Sequence, residues 1–183
     1  MKTTYILLLT LSITSFTHAQ TSNSSAFDDW RNIVLVSKVE GVNTSGFHFE
    51  YLQNRNTTWG DWLLPWAVSF QSTELHDKTF NESNYRTASV AQITVGVNGY
   101  KPLTNNLFLN LDGGVIIGNE KLTHFSGAYN ERIFIGLSLF QGILFVPDIA
   151  IPIVLKAGIY EDVLNSKLYN FDIGVKIGIG LKF

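Results

Sequence analysis

The last sixteen residues, 168–183, read LYNFDIGVKIGIGLKF, with an apolar side chain at every odd position from Tyr169 onward. The positions between them hold three glycines, two lysines, an asparagine and an aspartate. Because successive side chains of a β-strand point to opposite faces, this stretch predicts a strand with one wholly apolar face. The glycines would shield a solvated surface poorly but leave room inside a narrow barrel. We therefore expect the apolar face to point outward, towards lipid.

The same alternation recurs along the chain, which has 183 residues and only 15% charged side chains, against about 25% in ordinary soluble domains. We predict strands at 32–42, 46–53, 62–71, 87–100, 106–118, 131–145, 149–160 and 168–183. The predicted fold is all-β: a closed, antiparallel, up-and-down transmembrane β-barrel of about eight strands. Two long polar connections, 72–86 and 119–130, would be external loops and most other connections short periplasmic turns. The connection at 54–62 is long for a periplasmic turn.

The N-terminal residues have the pattern of an export signal. MKTTYILLLTLSITSFTHAQ combines an early lysine, an apolar run of about nine residues and a small-residue end, whereas a membrane-spanning helix needs about 20 apolar residues. We expect residues 1–19 to be a cleaved signal peptide, 20–31 a flexible polar leader and 32–183 the barrel. The absence of cysteine excludes disulfides and lipoprotein processing, and the net charge of -2 gives no electrostatic footprint for nucleic acid.

Residues 133–155 allow a second interpretation, because they are long enough and apolar enough for a membrane-spanning helix. Two prolines, two glycines and many β-branched residues oppose a helix there. Pro147 and Asp148 instead have the chemistry of a tight turn. A hairpin of two membrane-length strands explains the segment better.

The face assignment predicts a set of charged side chains inside the barrel. They are Lys38, Glu40, His48, Glu50, Asp112, Arg132, Lys156, Asp172 and Lys176. Four acids and four bases balance, as buried charges require. An eight-stranded barrel is only wide enough for side chains to fill, so we expect a packed, polar, plugged lumen.

Aromatic residues mark where the strands would meet the membrane surface. Tyr51, Trp62, Trp66 and Tyr100 are predicted at the periplasmic interface, where amphipathic rings are favoured. Phe47, Phe70 and Tyr169 would mark the outer interface.

The C-terminal strand resembles the C-terminal signature of bacterial outer-membrane β-barrel proteins. The residues that carry the resemblance are Tyr169, Phe171, Ile173, Val175, Ile177, Ile179, Leu181 and the terminal Phe183. The resemblance implies a small eight-stranded porin-like or OmpX/OmpA-like domain in the outer membrane of a Gram-negative bacterium. It further implies recognition by the barrel-assembly machinery and contact with lipid and lipopolysaccharide, and we expect a monomer without cofactors.

Candidate chemistry in the sequence is sparse. His48 and Glu50 lie two residues apart on one face and could serve acid–base work in a lipid A-modifying enzyme, but the serine partner of such enzymes is missing. His76 and His124 could join a metal site on the long loops, although no spacing favours one. We therefore predict a structural or interaction role for the barrel and its external loops. A narrow channel or transporter, a lipid A-modifying enzyme and a soluble lipocalin-like carrier remain alternatives.

Overall fold

A computed structural model describes residues 32–54, 58–76, 85–149 and 151–183; the predicted signal peptide and leader lie outside them. The strands are β1 (Asn32–Gly41), β2 (Thr44–Gln53), β3 (Thr58–Trp59), β4 (Trp62–Leu63), β5 (Trp66–Leu75), β6 (Tyr85–Pro102), β7 (Leu107–His124), β8 (Tyr129–Phe145), β9 (Ile153–Leu164) and β10 (Phe171–Lys182). Across these ranges, no helix is long and apolar enough to cross a membrane.

Eight of the strands close into an antiparallel barrel, as predicted. Each long strand pairs with its neighbours in the order β1, β2, β5, β6, β7, β8, β9 and β10, and β10 pairs back with β1. The two-residue strands β3 and β4 form a small hairpin in the connection between β2 and β5. Closure pairs the backbone groups of the wall within the barrel, which is the condition for crossing hydrocarbon with strands.

The strand ends differ from the prediction at the external side. Residues 119–130 are not a loop: β7 and β8 stay paired as far as Thr123 and Tyr129, and only residues 125–128 form the turn. Gly127 supports that tight turn with a φ of 85°. The predicted loop at 72–86 is likewise shorter, since β5 runs to Leu75 and β6 starts at Tyr85.

The segment 133–155 forms a hairpin, which settles the helix alternative. The segment holds most of β8, the turn around Pro147 and the first residues of β9. Strand β9 begins at Ile153, four residues later than predicted, directly after Pro152. Proline has no N–H to donate to a strand ladder, so Pro152 marks the point at which the ladder of β9 begins.

The outer surface of the wall is apolar. Side chains on one face of each barrel strand are exposed, such as Val95 on β6, Leu137 on β8 and Ile177 on β10. The opposite face of each strand lines the interior. The predicted orientation, with apolar residues outward and small or polar residues inward, therefore holds for β2 and for β5 to β10.

Strand β1 is the exception to the predicted faces. Lys38 and Glu40 point outward, with 60% and 51% of their side chains exposed, and Ser37 and Val39 point inward. The placement of these two charges in the lumen was wrong. The first half of β1 is apolar on both faces, and the interior takes its odd-numbered residues because Ile33 and Leu35 pack in the barrel core.

Apolar clusters fill the two ends of the interior, a feature that the prediction of a packed, polar lumen did not include. We name the clusters by the predicted orientation of the barrel. The periplasmic cluster, at the end that holds both chain termini of the barrel, consists of Ile33, Leu35, Leu52, Leu63, Ala67, Tyr100, Phe108, Leu144, Val146 and Val154. The external cluster consists of Leu75, Ala88, Val90, Ile116, Phe134 and Leu164, with Leu122, Leu168 and Tyr169 packed against it. The polar residues lie between the two clusters.

Two aromatic predictions are wrong, each for its own reason. Tyr100 is fully buried in the periplasmic cluster instead of facing the membrane interface, because its even number puts it on the inward face of β6. Tyr169 precedes β10 and packs on the external cluster, so it does not continue the outward row of that strand. Trp66 is exposed on the outer face, and Tyr51 is exposed with its hydroxyl donating to Asn32 Oδ1 at 2.9 Å.

Candidate functional site

The centre of the barrel holds a buried ion cluster built from three strands. Lys156 of β9 places its Nζ 2.8 Å from Glu50 Oε2 and 2.7 Å from Asp112 Oδ2. The same ammonium lies 4.6 Å from the centre of the Phe140 ring. Asn98 donates to Glu50 Oε1 at 2.6 Å, which satisfies the carboxylate from a second side. One cation thus ties together three strands from inside the wall.

A second polar layer lies closer to the external end. Asp172 accepts hydrogen bonds from the Thr44 hydroxyl at 2.6 Å, the Tyr160 hydroxyl at 2.9 Å and the Asn43 backbone N–H at 2.9 Å. This carboxylate fastens β10 to the short turn between β1 and β2. Three donors to one buried carboxylate make it a structural tie.

Asp162 and Glu120 complete this layer, and the sequence analysis missed both. Asp162 accepts from Gln92 Nε2 at 3.0 Å and Ser138 Oγ at 2.6 Å. Glu120 accepts from the Ser166 hydroxyl and lies 3.8 Å from Arg132 Nη1. The alternation of β7 and β9 carries both residues inward, but the predicted strands ended two residues too early to include them.

His48 and Lys176 face a small cavity in the middle of the barrel. Its volume is about 40 Å³, room for about three water molecules. His48 is buried, and its Nδ1 has no hydrogen-bond partner in the part of the chain that the structure describes. The Lys176 ammonium lies 4.7 Å from the centre of the Tyr160 ring. Both side chains point away from the lipid-facing surface.

The two loop histidines have ordinary polar neighbours. His76 Nε2 lies 3.4 Å from Glu40 Oε1, and His124 Nε2 lies 3.4 Å from Asn130 Nδ2. Within the described ranges, no group of three histidine, aspartate or glutamate side chains could hold a metal ion.

The β7–β8 hairpin projects beyond β9, whereas β6 stays paired with β7 as far as His124. The pairing of β8 with β9 starts at Gly136, so residues 129–134 have no strand on that side among the residues described. Phe125 and Tyr129 at the tip are exposed, and Lys121 lies 4.3 Å over the Tyr129 ring. The hairpin therefore presents both a free strand edge and exposed aromatic rings.

An apolar outer wall, a closed eight-stranded ladder and a buried ion cluster together define the class of small outer-membrane β-barrels. No family model matches the sequence, and no curated protein does. Among solved structures, the chain resembles Ail, the attachment invasion locus protein of Yersinia pestis, with 23% identity over 84% of this chain and 97% of Ail and a TM-score of 0.51. Neisserial surface protein A has 13% identity with the same coverages and a TM-score of 0.60. Ail in complex with the heparin analogue sucrose octasulfate has 20% identity, again with the same coverages, and a TM-score of 0.52. At these identities the likeness shows the fold.

Proposed function

We propose that the protein is a non-conducting barrel of the outer membrane, with a structural or interaction role carried by its external surface. It would reach the membrane after removal of the signal peptide 1–19, with the barrel-assembly machinery engaging the C-terminal row up to Phe183. The apolar outer wall supports a lipid environment, and the outward residues of β10 together with the terminal Phe183 supply a continuous apolar ridge.

The filled interior of the barrel is the main observation in favour of a barrel that does not conduct. Apolar clusters occupy both ends, and the Lys156 cluster occupies the middle. The cavity beside His48, about 40 Å³ in volume, lies between these layers. A channel or transporter needs a continuous wet path, and these side chains oppose one.

The projecting hairpin is the surface we propose for a macromolecular partner. An unpaired strand edge presents N–H and C=O groups to which an extended segment can add. The charges around it are paired, Lys121 with Glu131 at 3.6 Å and Arg132 with Glu120 at 3.8 Å. This pairing argues against a polyanion such as the heparin analogue bound to Ail, and it favours backbone pairing with aromatic contacts.

The enzyme alternative receives little support from the position of His48. A lipid A-modifying histidine must reach a substrate in the outer leaflet, but His48 points into the barrel interior and is 7% exposed. We therefore assign the His48–Glu50 pair to the packing of the barrel interior.

The outer-membrane location and the sealed lumen of the protein can be tested with membrane fractions and with the barrel purified from them. The protein in outer-membrane fractions should run faster in unboiled than in boiled detergent samples, and purified barrels should give no conductance steps in planar bilayers. Discrete steps would contradict the sealed lumen.

The hairpin can be tested by surface labelling, since the chain has no cysteine. A Tyr129→Cys variant should react with an impermeant maleimide on intact cells, whereas a Ser69→Cys variant, buried on the inner face of β5, should not react. Slower labelling of Tyr129→Cys on cells than in purified vesicles would support an occupied hairpin. Equal rates would contradict a bound partner under those conditions.

A further inference from the structure

In the apolar part of the outer wall, long polar side chains are confined to one sector of the barrel. They are Lys38 and Glu40 of β1, Gln141 of β8 and Glu161 of β9, whereas the outward Ser72 of β5 carries only a hydroxyl. The outward residues halfway along β5, β6 and β7 are apolar, namely Val68, Phe70, Ile93, Val95, Val115 and Ile117. Ionisable groups facing hydrocarbon are costly and mark functional contacts. The sector centred on β10 therefore differs from the rest of the wall.

Glu161 lacks a partner within the described residues. It lies between the outward Ile159 and Val163 on β9, and no hydrogen bond or ion pair reaches its carboxylate from the described part of the chain. Glu161 also borders a groove of about 190 Å³ in the wall, lined by the outward Leu111, Leu139, Gln141 and Ile159 and, at its floor, by the inward-facing Asp112 and Phe140. An unpaired carboxylate beside an apolar groove fits a cation on an aliphatic stem.

Lys38 is such a cation, on the other side of β10. Its Nζ lies 3.7 Å from Glu40 Oε2, its side chain is 60% exposed, and Glu40 is contacted from the other side by His76. An ammonium has three donors, so Lys38 can serve a second carboxylate. Lys156 makes the same two-carboxylate contact inside the barrel.

The positions of the two groups suit a two-fold arrangement. Glu161 lies opposite Ile173 of β10, and Lys38 lies opposite Ile177 of the same strand. These two positions are four residues apart along β10. The strands tilt by about 40° from the barrel axis, and this tilt offsets most of that separation, so the two side chains lie at similar depth in the membrane. A two-fold axis beside β10, along the membrane normal, brings β9 of each copy next to β1 of the other.

We propose that a second copy of this chain packs against the outer face of β10, so that Glu161 of each copy pairs with Lys38 of the other. The interface is isologous, with the apolar ridge of β10 at its centre and an ion pair on either flank. This inference rests on the proposed membrane barrel, and it replaces the expectation of a monomer.

The interface can be mapped by cross-linking in lipid vesicles. Ile177→Cys places a thiol on β10 near the axis, and Val95→Cys places one at similar depth on β6, the strand opposite β10; both native side chains are exposed. A bis-maleimide of about 10 Å span, the distance between packed sheets, should link at least ten times more Ile177→Cys than Val95→Cys. Equal yields at the two positions would overturn the interface.

Charge reversal tests the ion pairs in the Ile177→Cys background. Lys38→Glu alone and Glu161→Lys alone should each reduce the cross-linked fraction about tenfold, and the double variant should restore it. A double variant that stays as poor as the single variants, or single variants that link normally, would overturn the proposed pairing. The heat-dependent gel shift of each variant reports the barrel separately, so loss of the dimer is distinguishable from failure of the barrel.

Discussion

Replacing Lys156 with methionine should destabilise the barrel severely. Methionine keeps most of the length and the contact with Phe140 but removes the ammonium shared by Glu50 and Asp112. Glu50 keeps its hydrogen bond from Asn98, and Asp112 keeps its hydrogen bond from Asn110. Two buried carboxylates then face each other without a cation.

The expected loss follows from the burial of these groups. Glu50 and Lys156 are about 5% exposed at their side chains, and Asp112 is 13% exposed. Breaking a buried ion pair by removing one partner costs about 3–5 kcal/mol, and the remaining amide donors keep the loss within that range. A loss of about 4 kcal/mol lowers the ratio of folded to unfolded protein roughly a thousandfold. With a urea dependence of about 2 kcal/mol per molar, the midpoint should fall by about 2 M.

Urea titration of the barrel in lipid vesicles, followed by tryptophan fluorescence and the gel shift, measures this loss. Lys167→Met, an exposed lysine in the β9–β10 connection, is the matched control and should change stability by less than about 0.5 kcal/mol. The triple variant Glu50→Gln, Asp112→Asn, Lys156→Met removes all three charges and should recover most of the stability. A Lys156→Met barrel whose stability lies within about 1 kcal/mol of the native protein, well below the expected loss of about 3–5 kcal/mol, would refute the reasoning. A triple variant no more stable than Lys156→Met would refute it as well.

Three further predictions concern the wall, the cavity and the C-terminus. Gly174→Ala should destabilise the barrel in the same urea assay because an added Cβ would overlap the Glu40 carbonyl oxygen. Gly113→Ala on the outer face should be neutral, since its added Cβ would lie 3.8 Å from the nearest atom, on Leu139. Equal effects of the two substitutions would contradict the close approach at Gly174. Lipid A from cells expressing the protein should keep its mass whether His48 is native or alanine, as mass spectrometry would show; a mass change that disappears in His48→Ala would establish enzymatic activity. Phe183→Ala should lower the amount of assembled barrel in cells but should leave refolding in detergent unchanged, since the side chain is exposed and makes little contact with the barrel. A variant that also refolds poorly in detergent would show that Phe183 stabilises the barrel itself.

Strand count and barrel closure could be predicted because alternation is a local property of each strand. A row such as Val175, Ile177 and Ile179 fixes its own two faces without knowledge of the partner strand. The same rule could have placed Tyr100 inside, because Asn98 and Tyr100 share one face of β6. The position of Tyr100 near a strand end instead favours the membrane interface, and that signal is weaker than the alternation.

The ion cluster could be predicted only in part, since pairing across the lumen depends on the register of distant strands. Glu50, Asp112 and Lys156 were assigned to the interior from alternation, but their mutual contact requires the shear of the whole barrel. The faces of β1 were not determined locally, because Ile33, Val34, Leu35 and Val36 in succession make both faces apolar. Packing of the odd residues in the periplasmic cluster decides that strand.

The unequal strand lengths have a consequence for the surrounding bilayer. Strands β6, β7 and β8 have 17 or 18 residues, whereas β1, β2 and β5 have 10. The apolar surface reaches Ile133 on the tall side, but on the short side it gives way to Glu74 near the end of β5. Such a slanted upper border is a hydrophobic mismatch, which a membrane protein relieves by tilting or by deforming the lipid around it. We expect the barrel axis to lean towards β7 and β8, lowering the tip of the hairpin towards the lipid headgroups and thinning the outer leaflet beside β2 and β5.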